Sequence, residues 1–348
     1  MDVGVVYATD FGLLSPGGIA RFVARIGAQA PSDLRITYYL AGEPAELPRA
    51  TDGAVIVHTA GRRGPLNARF SAGLWSRRQE LARHDVVICH RPEYVPCLPR
   101  EAKTVLVLHG GSWNAWRFGR RLFGLAYHVA EIPGCALSDL VISVDPASLS
   151  RAARSVTRRL VPTRAPVDDV FAPGPKSSNG CRRLLVAARL VPEKRIPILF
   201  EVAHDVGLPV TVMGDGPERR RLERLAASLE LDTTFLGAVT PLQIRDEYLR
   251  GGILAMATKA EGYPLAVAEA LSVGVPAVGL HGPGLTQLQP YGLSLFRSPR
   301  DLSAGVRALL STSDLDGRAE RAVRAWQDHR AEVVAESFWG HVMALVEL

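Results

Sequence analysis

Long apolar runs are missing from this 348-residue chain. No stretch of about 20 apolar residues occurs, so no segment reads as a membrane-spanning helix. Cysteine is scarce, and its four copies (Cys89, Cys97, Cys135 and Cys181) lack the paired spacing of a zinc site. Two of them lie in apolar strand-like runs, which fits reduced thiols in a cytosolic protein. Residues 1–25 hold Asp2, Asp10 and a glycine-rich turn, which does not match a signal peptide. A dinucleotide fingerprint is missing as well. The opening Val3-Gly4-Val5-Val6-Tyr7 lacks it, and after Gly214-Asp215-Gly216 the third glycine position holds Arg219. A nicotinamide-dependent oxidoreductase is therefore a poor alternative. Asp314-Leu315-Asp316 follows a helical pattern rather than an apolar strand, so it is not read as a metal site.

What is present is globular. Hydrophobic residues make up 47% and charged residues 22%, and the length suits two domains that each bury a core. The charge is lopsided. Residues 1–172 carry 21 Lys and Arg against 15 Asp and Glu, whereas residues 173–348 carry 20 of each. The excess gathers at Arg62, Arg63, Arg69, Arg77, Arg78 and Arg83, and again at Arg117, Arg120 and Arg121. Leu66, Phe70, Leu74 and Trp75 recur through the first cluster at roughly helical spacing. A basic amphipathic segment of this kind fits an anionic membrane surface as well as a plain soluble face. No recognition motif accompanies the charge, so nucleic acid is not an expected partner.

Apolar strands and amphipathic helices alternate along the chain. Strands are expected at 3–7, 35–40, 54–58, 86–89, 104–108 and 140–144, then near Leu184, Val210, Phe235, Leu254 and Ala277. Helices are expected at 18–29, 67–83, 116–131 and 146–156. In the second half they fall at 196–206, 218–229, 242–249 and 265–272, and a helical pattern runs on after Asp314. Such alternation predicts an α/β protein of two doubly wound parallel sheets. Pro173-Gly174-Pro175-Lys176-Ser177-Ser178-Asn179 reads as the linker between them.

The most informative stretch is Glu261-Gly262-Tyr263-Pro264-Leu265-Ala266-Val267-Ala268-Glu269. It lies between two apolar strands, so Glu261 falls at the carboxyl end of the first, where open α/β sheets bind ligands. Pro264 suits the first helical turn, and amides near Gly262 and Tyr263 can meet an anion with the helix dipole behind them. Glu269 follows roughly 12 Å along the helix. A ligand meeting both carboxylates has hydroxyls at each end and negative charge between, which is the shape of a sugar nucleotide.

From Glu261 to Val278 the sequence resembles the donor-site signature of retaining glycosyltransferases of the GT-B fold, family 4 (glycosyl transferases group 1). Two other segments resemble the same family. Leu185 to Lys194 looks like its diphosphate loop, with Arg189 and Lys194 as the paired cations, and Gly214-Asp215-Gly216-Pro217 like the turn shaping its nucleotide pocket. The resemblance implies two Rossmann-like domains facing each other across a cleft, with a C-terminal helix crossing back to the first. It implies an acceptor-side domain over 1–170, a donor-binding domain over 171–325 and the returning helix over 326–348, anchored by Trp326, Phe338 and Trp339. It also implies a nucleoside-diphosphate sugar as co-substrate, with a UDP-sugar favoured and a GDP-sugar as the alternative, and with no cofactor and no metal.

Residue by residue, the resemblance implies that Glu269 holds the ribose, that Arg189 and Lys194 hold the diphosphate, and that Glu261 meets the donor sugar. Gly17 and Gly18, in a glycine loop after the first strand, and Gly214, Gly262, Tyr263, Pro264 and Leu265 complete the donor side. His109 is expected beside the transferred sugar, with His90, Trp113, Trp116 and Arg117 on the acceptor side. The expected acceptor is a hydroxyl on a glycolipid, a polysaccharide or a natural product, and the expected setting is a bacterial cytoplasmic enzyme peripheral at the inner membrane face. The sequence departs from the family where Gly-Gly-x-x-Glu is common and Pro283-Gly284-Leu285-Thr286-Gln287 stands instead. That departure bears on donor choice and keeps open a non-catalytic nucleotide-sugar-binding protein.

Overall fold

The structure, a computed structural model, describes residues 1–7, 18–41, 53–57, 66–110, 121–173, 182–259, 261–282, 284–311 and 315–347. The chain divides into two compact units, Met1–Pro166 with Ala331–Leu348, and Val167–Arg330.

The first unit is built on seven parallel strands: β1 (Asp2–Tyr7), β2 (Arg35–Leu40), β3 (Gly53–Ile56), β4 (Val86–Cys89), β5 (Lys103–Leu108), β6 (Leu140–Ser143) and β7 (Leu160–Pro162). Their order is β3-β2-β1-β4-β5-β6-β7. Every residue of β4 and β6 is buried, as strands covered on both faces require. The covering helices are α1 (Gly18–Ala28), α2 (Leu66–Ser76), α3 (Arg78–Leu81), α4 (Arg121–Leu137) and α5 (Arg151–Val156). Phe22, Val23 and Ile26 form the buried stripe of α1.

Three helices differ from the sequence expectation. The run expected over 67–83 breaks at Arg77, whose ψ of 16° leaves the helical range, and so becomes α2 and α3. The run expected over 146–156 starts as a single 3-10 turn. Helix α5 begins only at Arg151, after the N-cap Ser150, whose hydroxyl accepts from the Ala153 amide at 3.1 Å. Helix α4 continues past Pro133 to Leu137.

The second unit has six parallel strands: β8 (Leu184–Ala187), β9 (Val210–Met213), β10 (Thr233–Gly237), β11 (Ile253–Met256), β12 (Ala277–Leu280) and β13 (Leu293–Phe296). The order is β10-β9-β8-β11-β12-β13. Its helices are α6 (Ile196–Val206), α7 (Arg219–Ser228), α8 (Pro241–Leu249), α9 (Leu265–Ser272), α10 (Pro299–Ser311) and α11 (Leu315–His329). Because side chains alternate along a strand, Leu184 and Val186 enter one apolar cluster, with Phe200 and Leu302. Leu185 enters the other, with Leu254, Val267 and Phe171.

A largely buried ion pair fastens α8 to this sheet. Arg183 Nη1 lies 2.7 Å from Glu247 Oε2 and 3.0 Å from Thr211 Oγ1, and Nη2 donates to the Glu247 carbonyl at 2.7 Å. Satisfied on several sides, such a pair can be kept dry, whereas either charge alone could not.

The last helix, α12 (Ala331–Met343), belongs to the first unit, so the chain returns as expected, but from Ala331 rather than from 326. Trp326, expected as an anchor of the return, lies on α11 and packs against the second unit's core. Trp339 is buried, and its indole N–H donates to the Ile26 carbonyl of α1 at 3.0 Å. Phe338 packs edge-on against Phe22 with ring centroids 6.0 Å apart.

Candidate functional site

In the second unit the strand order reverses between β8 and β11, and ligands of doubly wound sheets bind outside the carboxyl ends at that reversal. The loop after β8 makes a 3-10 turn at Pro192–Lys194 and then a left-handed residue, Arg195, with φ 49° and ψ 39°. The loop after β11 carries Glu261. Two contacts bolt these loops together: the Arg195 guanidinium donates to the Ala257 and Thr258 carbonyls, and the Lys259 amide donates to Glu193 at 3.0 Å. In consequence the Lys194 ammonium hydrogen-bonds Glu261 Oε1, with 23% and 18% of the two side chains exposed. The structure thus brings together the two residues expected to serve the diphosphate and the sugar. Arg195, which sequence reasoning passed over, is what holds them there.

Glycines let the neighbouring loops touch. A Cβ on Gly214 would stand 2.0 Å from the Ala188 carbonyl oxygen, and one on Gly284 (φ 77°) would stand 1.9 Å from that of Glu261. No other residue fits at either place. Gln287 completes the arrangement, since its Nε2 donates to the Gly262 carbonyl at 2.9 Å and to the Gly284 carbonyl at 3.0 Å. The departure seen in the sequence at 283–287 therefore has a structural use. A carboxylate at position 287 would face two carbonyl oxygens with no proton to offer either.

The other donor-side residues are distributed as follows. Arg189 is exposed beyond β8, and Gly262 and Tyr263 are partly buried. Pro264 is the N-cap residue of α9, one position before the helical turn expected for it, and Leu265 opens the helix. Glu269 lies on α9 and is 2% exposed. The Tyr263 hydroxyl hydrogen-bonds Nε2 of His329, a residue that sequence reasoning did not single out.

In the first unit Gly18 starts α1, and a Cβ there would meet nothing within 4 Å. His90 and His109 directly follow β4 and β5, which are adjacent strands. His90 Nδ1 lies 3.0 Å from His109 Nε2, with the rings stacked at 23° and centroids 5.3 Å apart. Tyr7 packs edge-on against His90, and Phe22 against both rings. Burial, and then the neighbouring His109, holds the His90 imidazole well below its usual pKa. Loss of hydration beneath Phe22 lowers His109 to about 3, although part of the residue stays accessible. At neutral pH the pair is uncharged and shares one N–H···N bond. Gly17, Trp113, Trp116 and Arg117 lie outside the described residues, as do Arg62, Arg63, Arg120 and Cys181.

The apolar stripe of α2 faces inward, with Phe70 and Leu74 fully buried in the core. Trp75 is the exception. It is 57% exposed, and the Arg78 guanidinium carbon sits 4.8 Å from its ring centroid. The thiols of Cys89, Cys97 and Cys135 are free, and burial pushes the first up to about 12.

Two outcomes follow. An unfolded histidine titrates near 6.5, above the folded values, so stability is complete above about pH 6.5 and falls as pH drops toward 3, by at most ~1.4 kcal/mol per pH unit per histidine. Melting temperatures between pH 7.5 and 5 should therefore fall more steeply in the native protein than in a His90→Phe/His109→Phe variant, and equal slopes would contradict this. Gln287→Glu should cost about 1–3 kcal/mol in denaturant unfolding at pH 8. At pH 5.5, where a protonated carboxyl can donate again, the cost should shrink, and a pH-independent cost would remove the donor role.

The comparisons with known proteins agree with this geometry. Residues 173–326 match the family model described as Glycosyl transferases group 1. The chain is 26% identical over 185 residues to the amylovoran biosynthesis glycosyltransferase AmsD of Erwinia amylovora, covering 51% of this chain and 50% of that protein. It is 32% identical over 132 residues to a GDP-mannose-dependent alpha-(1-6)-phosphatidylinositol dimannoside mannosyltransferase of Mycobacterium tuberculosis, covering 36% and 31%. The chain thus spans half or less of these curated relatives. Among solved structures it is similar to a sucrose-phosphate synthase from Thermosynechococcus elongatus, with a TM-score of 0.83, 14% identity, and 99% and 98% of the two chains covered. It is also similar to HepE of Anabaena in complex with UDP-glucose, with a TM-score of 0.75, 17% identity, and 99% and 100% covered. Residues 173–326 are therefore a domain of the glycosyl transferases group 1 family, within a chain that has the GT-B fold.

Proposed function

We propose that this chain is a retaining glycosyltransferase that moves a sugar from a nucleoside-diphosphate sugar to an acceptor hydroxyl. The observation that carries this reading is the meeting of Lys194 and Glu261 at the strand-order reversal of a group 1 domain. Lys194 and the exposed Arg189 would neutralise the diphosphate, and stabilising that leaving group is the main catalytic task. Their charge replaces what a metal would supply. Glu261 would accept hydrogen bonds from the donor sugar, giving up its contact with Lys194 as phosphate takes over the ammonium. Glu269, buried on α9, would accept from the ribose hydroxyls, where a desolvated carboxylate bonds strongly.

The bond between the anomeric carbon and the phosphate oxygen breaks as the acceptor oxygen bonds to the same face of that carbon. The acceptor's proton passes to the departing phosphate oxygen, so no protein base is needed. His109 is assigned to the sugar as a neutral hydrogen-bonding group. His90 acts behind it, through the shared N–H···N bond. A UDP-sugar is the favoured donor, in keeping with the UDP-glucose bound by HepE, and a GDP-sugar is the alternative, in keeping with the mannosyltransferase named above. The acceptor class is a glycolipid, a polysaccharide or a natural product.

A panel of UDP-, GDP-, ADP- and dTDP-sugars, assayed for donor hydrolysis and transfer with chelator present, tests this. Release of one nucleoside diphosphate is expected, and Lys194→Ala should lower kcat at least about a hundredfold, or ~2.7 kcal/mol. Full activity in that variant would take Lys194 out of the mechanism, and tight binding with no turnover on any acceptor would favour a binding protein.

Association with an anionic membrane surface is a second part of the proposal, favoured by the exposed Trp75 under Arg78 beside Arg77 and Arg83. Co-sedimentation with phosphatidylserine vesicles is expected at low salt, weaker at high salt and in Trp75→Ser/Arg78→Glu. Equal sedimentation with neutral vesicles would count against it.

A further inference from the structure

We propose that His329 is a positioning residue for the loop that carries Glu261, acting through the Tyr263 hydroxyl. His329 ends α11, is fully buried, and presents its two ring nitrogens to different partners. Nδ1 lies 2.7 Å from the Ala325 carbonyl oxygen. A carbonyl has no proton to give, so Nδ1 carries the hydrogen. In the neutral ring Nε2 is then a bare acceptor, and the Tyr263 hydroxyl donates to it. The tautomer is thus fixed by the helix, and it dictates which way the tyrosine's proton points.

The ring cannot easily turn away. Tyr291 packs edge-on against it with centroids 4.9 Å apart, and the Tyr291 hydroxyl is itself anchored on Asp328 Oδ2 at 2.6 Å. Tyr263 stands between Gly262, whose carbonyl Gln287 holds, and Pro264, which caps α9. Fixing its hydroxyl therefore fixes the short segment from Glu261 to the helix from a third direction.

The backbone of His329 adds a second connection. Its carbonyl accepts from the Val167 amide at 2.8 Å, and Val167 and Arg330 form a parallel bridge. Those two residues are the first and last of the second unit. One residue thus grips the Glu261 loop with its ring and the unit's entering chain with its carbonyl. Order in the loop and order at the unit's two ends are coupled through it. Under the function proposed above, a nucleotide that orders the loop also tightens the Val167 amide.

Hydrogen exchange on the full chain tests the coupling without ligand and with UDP. In the ligand-free protein, Tyr263→Phe and His329→Leu should each speed exchange about tenfold at the Leu265 amide, which donates to Tyr263, and at the Val167 amide. Core amides such as Val186 should stay unchanged. His329→Gln, whose amide can donate to Ala325 and accept from Tyr263, should restore most of the protection. Unaltered exchange at Val167 and Leu265 in Tyr263→Phe would overturn the proposal, as would a change spread evenly over the unit. In the native protein UDP should slow exchange at Val167, and Tyr263→Phe should abolish that slowing and weaken UDP binding about tenfold. UDP binding with no effect at Val167 would reject the coupling. If no nucleotide binds at all, the proposed function fails, and the ligand-free comparison still decides the role of His329.

Discussion

The pairing of β8 with β11 is the contact on which the rest of the candidate site depends. Ile253 and Leu254 lie beside Leu184 and Leu185, although two strands and three helices stand between them in the sequence. Parallel strands release their chain at the same edge, so the pairing places the loops after both strands side by side. The helices that follow leave in opposite directions across the sheet, and the space between them is the crevice. Everything else there refines that placement. Arg195 ties the two loops, Gly214 and Gly284 let their neighbours approach, and Gln287 and His329 hold the Glu261 segment from its far side. The Lys194–Glu261 pair is the product of these constraints rather than their source. A lone pair of charges that keep contact with water would hold little by itself.

The two units solve the same problem with different chemistry. In the second, glycines and main-chain hydrogen bonds shape a charged crevice. In the first, the corresponding reversal lies between β1 and β4, and the residues that follow β4 and its neighbour β5 are an uncharged histidine pair under aromatic rings. Desolvation separates the two cases. Lys194 and Glu261 keep contact with water and can exchange partners when an anion arrives. His90 has lost that contact, and so it serves shape and hydrogen bonding rather than charge.

Much of this was legible in the sequence, for identifiable reasons. Strands buried on both faces are unbroken apolar runs, so nearly all of them stood out. The strands that escaped notice are β7, three residues long and containing Pro162, and β13, whose Ser294 interrupts a four-residue run. Glu261 and Glu269 were visible because strand, turn and helix signals bracket them. Arg195 was not, because its role comes from a left-handed backbone and two carbonyls more than sixty positions away. Gln287 was visible only as a departure, since the carbonyls it binds are set by the fold. The stripe of Phe70 and Leu74 looked amphipathic and is so, but these two side chains meet the core, while Trp75 turns outward. Periodicity tells that a face is apolar and does not tell what covers it.

Arg195 also places two incompatible demands on one position. Its backbone sits in the region that glycine occupies freely and that costs a side-chain-bearing residue about 1–2 kcal/mol. Its guanidinium makes two charge-assisted hydrogen bonds, each worth about 1.5–3 kcal/mol when buried partners would otherwise be lost. The second demand outweighs the first, so the strain persists. A change to glycine would relax the turn and release the two loops from each other in the same stroke. Attempts to harden this protein by relieving backbone strain therefore meet, at this residue, the tie that brings Lys194 to Glu261.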